Sequence, residues 1–292
     1  MSHPRFEPIL KRFVTWASAE PTVRAAVIVG SQARRTTPAD QWADLDLMVF
    51  TTDMSKLLDS RQWVEEFGPV VITFLEPTSV GDFRERRVLY SDGADVDFAI
   101  LPAQGQAVVA AHPAAQSVLG RGYEVLIDKD RFWGTGSHPA SPAKTVSTVP
   151  LEIPSFLETT SDFLYHVLWT ARKLRRGEVW TAKFCCDGYL KFRLLRLLEW
   201  WVIAESHGQV DTWHSGRFVD EWAPPELRDR LPSTFARYDA ADIARALNAT
   251  MDLFGDLGRR IAAHLGTPYP ELEESTVRTM VSETLAGLSS PM

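Results

Sequence analysis

Two different spacings of hydrophobic and polar residues divide the chain into two parts. The first part mixes helical spacing with short apolar runs, whereas the second part shows helical spacing only. An apolar residue every three to four positions is typical of a surface helix, and a short β-branched run is typical of a buried strand. The pattern therefore predicts an α/β part followed by an all-helical part.

In the first part, the pattern predicts one leading helix and up to six strands. The helix covers residues 5–19, where apolar residues recur at helical spacing until Pro21. The run VRAAVIV at 23–29 is almost wholly apolar and ends at Gly30, which is typical of a buried strand. The remaining strand candidates are 45–50, 69–75, 86–91, 96–101 and 124–128. Together they predict a mixed sheet with flanking helices.

The second part begins after a segment without periodicity. Residues 136–154 are rich in Pro, Ser and Thr, which is typical of a linker. Helices are predicted beyond it at 155–176, 178–206, 239–265 and 270–287. A length of 292 residues suits two domains. We expect an α/β domain at 1–135, a linker at 136–154 and an all-α helical bundle at 155–292.

Composition narrows the functional classes. The net charge of −7 argues against a nucleic-acid partner, which needs a basic face, and is compatible with a cationic small molecule. No apolar run approaches the roughly 18 residues of a membrane span, and the N-terminus lacks a signal-peptide core, so we expect a cytoplasmic protein. Cys185 and Cys186 are adjacent within a helical pattern and are interpreted as buried thiols rather than a zinc or disulfide site.

The first candidate for chemistry is the pair Gly30-Ser31, directly after a predicted strand. Glycine allows a sharp turn and leaves room for a phosphate. If a helix begins there, its free N–H groups and the Ser31 hydroxyl would face that phosphate. Most Gly-Ser pairs after strands are simple turns, so this pair alone is weak evidence.

Asp44 and Asp46 form a second candidate. Side chains two positions apart in a strand project from the same face, so the two carboxylates point together. Such crowded negative charges favour a cation between them, and oxygen ligands suit Mg²⁺. A solvated strand edge or a turn is the alternative interpretation of this pair.

Asp97 interrupts the apolar strand VDFAILP at 96–102. A carboxylate within such a run is costly to bury unless it is paired or binds a metal. If its strand lies beside that of Asp44 and Asp46, Asp97 would complete a three-carboxylate site for metal ions. Local capping or a salt bridge is the alternative.

The segment 28–50, IVGSQARRTTPADQWADLDLMVF, resembles the Gly-Ser and Asp-x-Asp signature of the nucleotidyltransferase superfamily. Roughly residues 20–285 resemble the aminoglycoside 6-adenylyltransferases, the streptomycin-modifying branch. The shared segments are WVEEFG at 63–68, DVDFAILP at 95–102, VLIDKD at 125–130, LLRLLEW at 194–200 and YPELEE at 269–274.

The resemblance implies an N-terminal nucleotidyltransferase domain, a helical C-terminal domain, and a cleft between them for Mg-ATP and the acceptor. It implies that Gly30 and Ser31 contact the triphosphate and that Asp44, Asp46 and Asp97 bind metal, with Asp97 sharing in hydroxyl activation. Arg172 falls where the family carries a basic residue, although a surface charge is the alternative. ATP is the implied co-substrate and Mg²⁺ the implied cofactor, in a monomer or homodimer.

Several positions depart from the family pattern. The family has Gly-Ser-Arg where this chain has Gln32, so Arg34 or Arg35 is a candidate substitute. Phe184 stands where the streptomycin enzymes carry an aspartate suited to general-base work, and Phe192-Arg193 replaces a His-Glu pair. Asp187 lies three residues after Phe184, one helical turn along the same face, and is either a replacement base or part of a polar stripe.

We therefore expect transfer of AMP from ATP to a hydroxyl of an aminoglycoside. Because the departures lie on the acceptor side, one alternative is another acceptor: a lincosamide, a metabolite or a protein side chain. A second alternative is a nucleotide-binding protein that has lost catalysis. The three carboxylates weigh against this last alternative.

Overall fold

The computed structural model describes residues 4–34, 39–78, 83–133, 137–139, 150–212 and 214–287. It divides into two compact units, Met1–Ala143 and Lys144–Met292. The first is an α/β unit and the second is built from helices. The predicted fold class is thereby confirmed.

A seven-stranded mixed sheet forms the first unit, in the order β3-β4-β5-β2-β1-β6-β7. The strands are β1 Val23–Val29, β2 Leu45–Thr51, β3 Val70–Pro77, β4 Arg84–Tyr90, β5 Asp95–Pro102, β6 Gly122–Asp128 and β7 Ser137–Pro139. All neighbours are antiparallel except β2 and β5, which are parallel. Strand β7 pairs with β6 inside the segment that we had expected to be a linker, where three residues carry no periodic signal.

Both faces of the central strands are covered, which explains why β1 lacks polar alternation. The helices are α1 Glu7–Ala19, α2 Met54–Leu58, α3 Gln62–Glu65, α4 Gly105–Ala111 and α5 Pro113–Gly120. Ala26 and Ile28 of β1 join one apolar cluster with Phe13 of α1, whereas Val27 joins another with Leu119 of α5. Burial on both sides favours a continuous apolar run over a period of two.

The second unit contains α6 Ile153–Arg175, α7 Val179–Phe184, α8 Leu190–Glu205, α9 Val219–Trp222, α10 Pro225–Arg228, α11 Ala240–Leu265 and α12 Glu271–Leu285. The single helix predicted at 178–206 is divided by a π-helical segment, Cys185–Tyr189. This segment is a single turn of five residues, which is too short for the apolar spacing of the sequence to reveal it. Both cysteines are buried and free, as predicted.

No helix within the described ranges is long and apolar enough to cross a membrane.

Candidate active site

The carboxylates of Asp44, Asp46 and Asp97 lie together at one end of the two parallel strands. Asp46 of β2 is in register with Asp97 of β5, and Asp44 directly precedes β2. Each residue offers a carboxylate oxygen within 4.8 Å of the other two. The structure thus assembles the three carboxylates that the sequence suggested for one site.

Gly30 forms the neighbouring wall of this site. Its φ of +67° lies in the left-handed region, and a Cβ added there would overlap the carboxylate of Asp46. Both observations require glycine at this position. Gly30–Gln32 form a single 3-10 turn, not the start of the longer helix that the sequence allowed. Within this turn the Ser31 Oγ is buried and has no hydrogen-bond partner among the described residues.

Gln32 fixes the backbone at the first aspartate of the site. Its side chain is 5% exposed, and its Nε2 donates a hydrogen bond to the backbone carbonyl of Asp44 at 3.0 Å. The residue that breaks the family's Gly-Ser-Arg pattern therefore has a positioning contact of its own, which sequence reasoning missed. Arg34 closes the turn through its backbone N–H, which donates to the Gly30 carbonyl at 3.2 Å. Arg35 lies outside the described residues.

Asp97 is the most buried of the three acids, at 4% exposure. Burial raises the pKa of its carboxyl to about 8; Arg87 opposes this rise and Asp46 adds to it. The Asp97 Oδ1 has no hydrogen-bond partner among the described residues. Crowded carboxylates with an unpartnered buried oxygen are a donor set that fits a divalent cation, which would restore the charged form of Asp97.

Arg87 is a residue of this site that the sequence did not indicate. It lies on β4 in register with Asp97, and its Nη2 is 3.1 Å from the Asp97 Oδ2. Strand β4 carries three arginines, Arg84, Arg86 and Arg87. Only the register between β4 and β5 distinguishes the one that meets Asp97.

The remaining candidates belong to the helical unit. Arg172 lies in the last turn of α6 and is exposed, with a role that stays a prediction. Asp187 lies in the π-helical segment, where its Oδ2 pairs with Lys183 and accepts from the Ala236 N–H at 3.2 Å. Its side chain is 17% exposed, whereas Phe184 is 71% exposed. A π turn holds more residues than an α turn, which changes the spacing on which the expected shared face depended, and the role of Asp187 stays a prediction.

The other departure from the family pattern also has a structural account. Arg193 pairs with Asp162 of α6, and its Nη2 donates to the Tyr189 hydroxyl at 2.8 Å. That hydroxyl donates in turn to Asp162 at 2.9 Å. An arginine at this position thus links α8 to α6, while the adjacent Phe192 is exposed.

Comparison with known proteins places the chain in a family. The sequence profile of the family described as streptomycin adenylyltransferase matches residues 5–284. The chain belongs to this family. As a member it is a nucleotidyltransferase, and the predicted enzyme class and the family resemblance are confirmed.

Two relatives match this chain over about nine tenths of its length. An aminoglycoside 6-adenylyltransferase of Bacillus subtilis (strain 168) is 20% identical over 272 residues, with 91% of this chain and 93% of the relative covered. One of Campylobacter jejuni is 21% identical over 270 residues, with 89% of each chain covered. A solved structure of an aminoglycoside 6-adenyltransferase from Bacillus subtilis covers 96% of this chain and 98% of its own, at 17% identity and a TM-score of 0.45.

Proposed function

We propose that this protein transfers AMP from ATP to a hydroxyl of an aminoglycoside in a Mg²⁺-dependent reaction that releases pyrophosphate. The observation that carries the proposal is the meeting of Asp44, Asp46 and Asp97 within 4.8 Å beside the Gly30-Ser31 turn. Membership in the adenylyltransferase family supports the choice of ATP and of an aminoglycoside.

The three aspartates would hold the metal ions. When bound, Mg²⁺ would polarise the α-phosphate and neutralise the charge that develops on pyrophosphate. The fit rests on the unpartnered Asp97 Oδ1 and on the mutual repulsion of the acids without a cation. Catalysis of this kind consists mainly of positioning and electrostatic stabilisation, which rigid strand ends can supply.

The Gly30–Gln32 turn would hold the triphosphate. The backbone approaches closely because Gly30 has no side chain, and the buried Ser31 Oγ is a donor without a described partner. Arg34 and Arg172 are our candidates for further phosphate contacts, since a guanidinium binds phosphate oxygens in a bidentate manner.

Asp187 and Asp97 are the candidates for the base that accepts the proton of the acceptor hydroxyl. At Asp187, Oδ2 is already engaged by Lys183 and the Ala236 N–H, and only Oδ1 lacks a described partner. Proton acceptance by Asp187 would therefore have to occur at Oδ1. Asp97, in an ion pair with Arg87, is the second candidate to share in activating the hydroxyl.

One set of observations favours a different acceptor. Phe184 and Phe192 are both more than half exposed, and Arg193 is engaged with Asp162. The family pattern has acidic or polar groups at these positions. This chain has two exposed aromatic rings there, and an arginine whose charge is paired with Asp162. A less polar acceptor, such as a lincosamide, is the second candidate, with the same nucleotidyl transfer chemistry.

The test is release of pyrophosphate from Mg-ATP across a panel of aminoglycosides and lincosamides. Asp46→Asn is the inactive variant, and Asp59→Asn, an exposed aspartate at the end of α2, is the matched control. Release with an aminoglycoside, lost in Asp46→Asn and kept in Asp59→Asn, is the expected result. Release only with a lincosamide would replace the acceptor, and ATP binding without release across the panel would contradict the proposed activity.

A further inference from the structure

Arg87 lies on the same face of the sheet as the three aspartates. In the antiparallel register of β4 and β5 it stands opposite Asp97, which is itself opposite Asp46 on β2. Residues directly opposite each other on paired strands project from the same face. The row therefore runs Arg87, Asp97, Asp46 across three adjacent strands.

Two further carboxylates hold the guanidinium of Arg87 from outside the cation site. Its Nη2 lies 3.2 Å from Glu85 Oε1 on the same strand, and its Nε pairs with Glu76 on β3. Since Arg87 also meets Asp97 at 3.1 Å, one guanidinium bridges three acids. A planar guanidinium held at several points has little freedom to rotate.

The contact leaves the two oxygens of Asp97 in different situations. Oδ2 forms an ion pair with Arg87 at 3.1 Å, whereas Oδ1 is buried and has no hydrogen-bond partner among the described residues. With one oxygen fixed, rotation of the carboxylate is restricted and the other oxygen has a defined direction. Groups that orient a metal ligand in this way commonly change metal affinity by about 10- to 100-fold when they are removed.

We propose that Arg87 is a positioning residue of the cation site, which orients the Asp97 carboxylate through Oδ2 so that Oδ1 faces the cation. Glu76 and Glu85 hold Arg87 in this position, so the edge strand β3 takes part in shaping the site. The inference rests on the proposed cation site formed by Asp44, Asp46 and Asp97.

If Arg87 only balanced charge, its removal would change cation affinity in the opposite direction from the one expected for a positioning residue. If Arg87 only offset the negative charge of the acids, its removal would strengthen their attraction for a divalent cation. If Arg87 orients Asp97, its removal weakens cation binding despite the loss of a positive charge. The direction of the change in affinity therefore separates the two roles.

The experiment measures binding of Mn²⁺ alone, by the electron paramagnetic resonance signal of the free ion, to the wild type and three variants. Arg87→Met should weaken binding about tenfold. Arg87→Lys keeps a donor and the charge and should recover most of this loss. Arg84→Met is the matched control, because Arg84 lies on the same strand, carries the same charge and projects from the opposite face.

Thermal unfolding confirms that each variant is folded, and Arg87→Gln replaces Arg87→Met if the latter does not fold. Unchanged or tighter Mn²⁺ binding in the Arg87 variants would overturn the inference and leave the cation site standing. An equal loss in Arg84→Met would also overturn it, since a general disturbance of strand β4 would then explain the effect. Absence of Mn²⁺ binding in the wild type would refute the cation site itself.

Discussion

The acids of the two units differ in the partners that they meet. In the helical unit, Glu274 is 3% exposed and accepts from Arg259 at 3.1 Å and from Arg278 at 2.7 Å. In the sheet unit, Asp44, Asp46 and Asp97 meet one another, and Arg87 is the cation that contacts Asp97 among the described residues. Glu274 is thus neutralised by arginines of its own unit, whereas the sheet unit gathers three carboxylates at one place.

The difference teaches how to distinguish structural from functional charge in this protein. A buried carboxylate between two arginines contributes to stability, and its removal leaves other charges unpaired. Carboxylates that repel one another lower stability, and such an arrangement is expected where a ligand supplies the missing charge. Substitutions in the two units should therefore have opposite effects on activity and stability.

The largest expected effect is that of Asp97→Asn. We expect the rate of nucleotidyl transfer to decrease by about a thousandfold, because a metal ligand is lost. Without divalent cations, the variant should unfold at a higher temperature than the wild type at pH 8. The folded-state pKa of Asp97, about 8, exceeds its ordinary value of 3.8, so wild-type stability decreases as pH rises through this interval. Initial rates and thermal unfolding with a chelator test both effects, and an active variant would refute the assigned role.

Gly30→Ala should lower activity by about a hundredfold and destabilise the first unit by roughly 1–2 kcal/mol. The added Cβ would displace the Asp46 carboxylate, and φ at this position is +67°. Gly177→Ala is the matched control, since Gly177 has φ of +74° and open space around its Cβ position. We expect the control to show the loss of stability without the loss of activity. Equal activity of the two variants in a pyrophosphate-release assay would contradict the close approach of Gly30 to the site.

Glu274→Gln should act in the opposite way to Asp97→Asn. We expect it to lower the free energy of unfolding by about 1.5–3 kcal/mol, because charge-assisted hydrogen bonds with Arg259 and Arg278 are weakened. The turnover rate of the remaining folded protein should stay within about twofold of the wild type, since Glu274 lies in the paired network and not among the metal ligands. Urea unfolding and the specific activity of the folded fraction measure the two quantities.

The last prediction concerns Glu199 of α8 and is a dependence of stability on pH. Burial raises the pKa of its carboxyl to about 7, and Arg196 opposes the rise. The folded-state value exceeds the ordinary 4.5, so the folded state binds more protons between these values and stability decreases as pH rises through them. Glu199→Gln should remove roughly 2 kcal/mol of this decrease between pH 5 and pH 8. Divalent cations should leave this difference between Glu199→Gln and the wild type unchanged, whereas they should alter the effect of Asp97→Asn. Urea unfolding at both pH values measures the free energies of unfolding that test the prediction.

Much of the fold follows from local patterns. The six strands predicted from apolar runs are present. A strand buried on both faces has a continuous apolar run, and a strand buried on one face has alternating apolar and polar residues, so the sequence pattern reveals both kinds. The four long helical segments of the second unit are also present, one of them divided by the π-helical segment. Strand β7 and the short helices α9 and α10 carried too few residues for a periodic signal.

By itself, the sequence determined the kinds of residue at the site: a glycine turn after a buried strand, an Asp-x-Asp pair and one acid in an apolar strand. These follow from the chain because each depends on residue type and spacing over a few positions. The tertiary structure alone decided that Asp46 and Asp97 are in register, that Arg87 and not Arg84 meets Asp97, and that Gln32 binds the carbonyl of Asp44. Strand register and helix rotation depend on packing between segments distant in sequence, so no local pattern contains them.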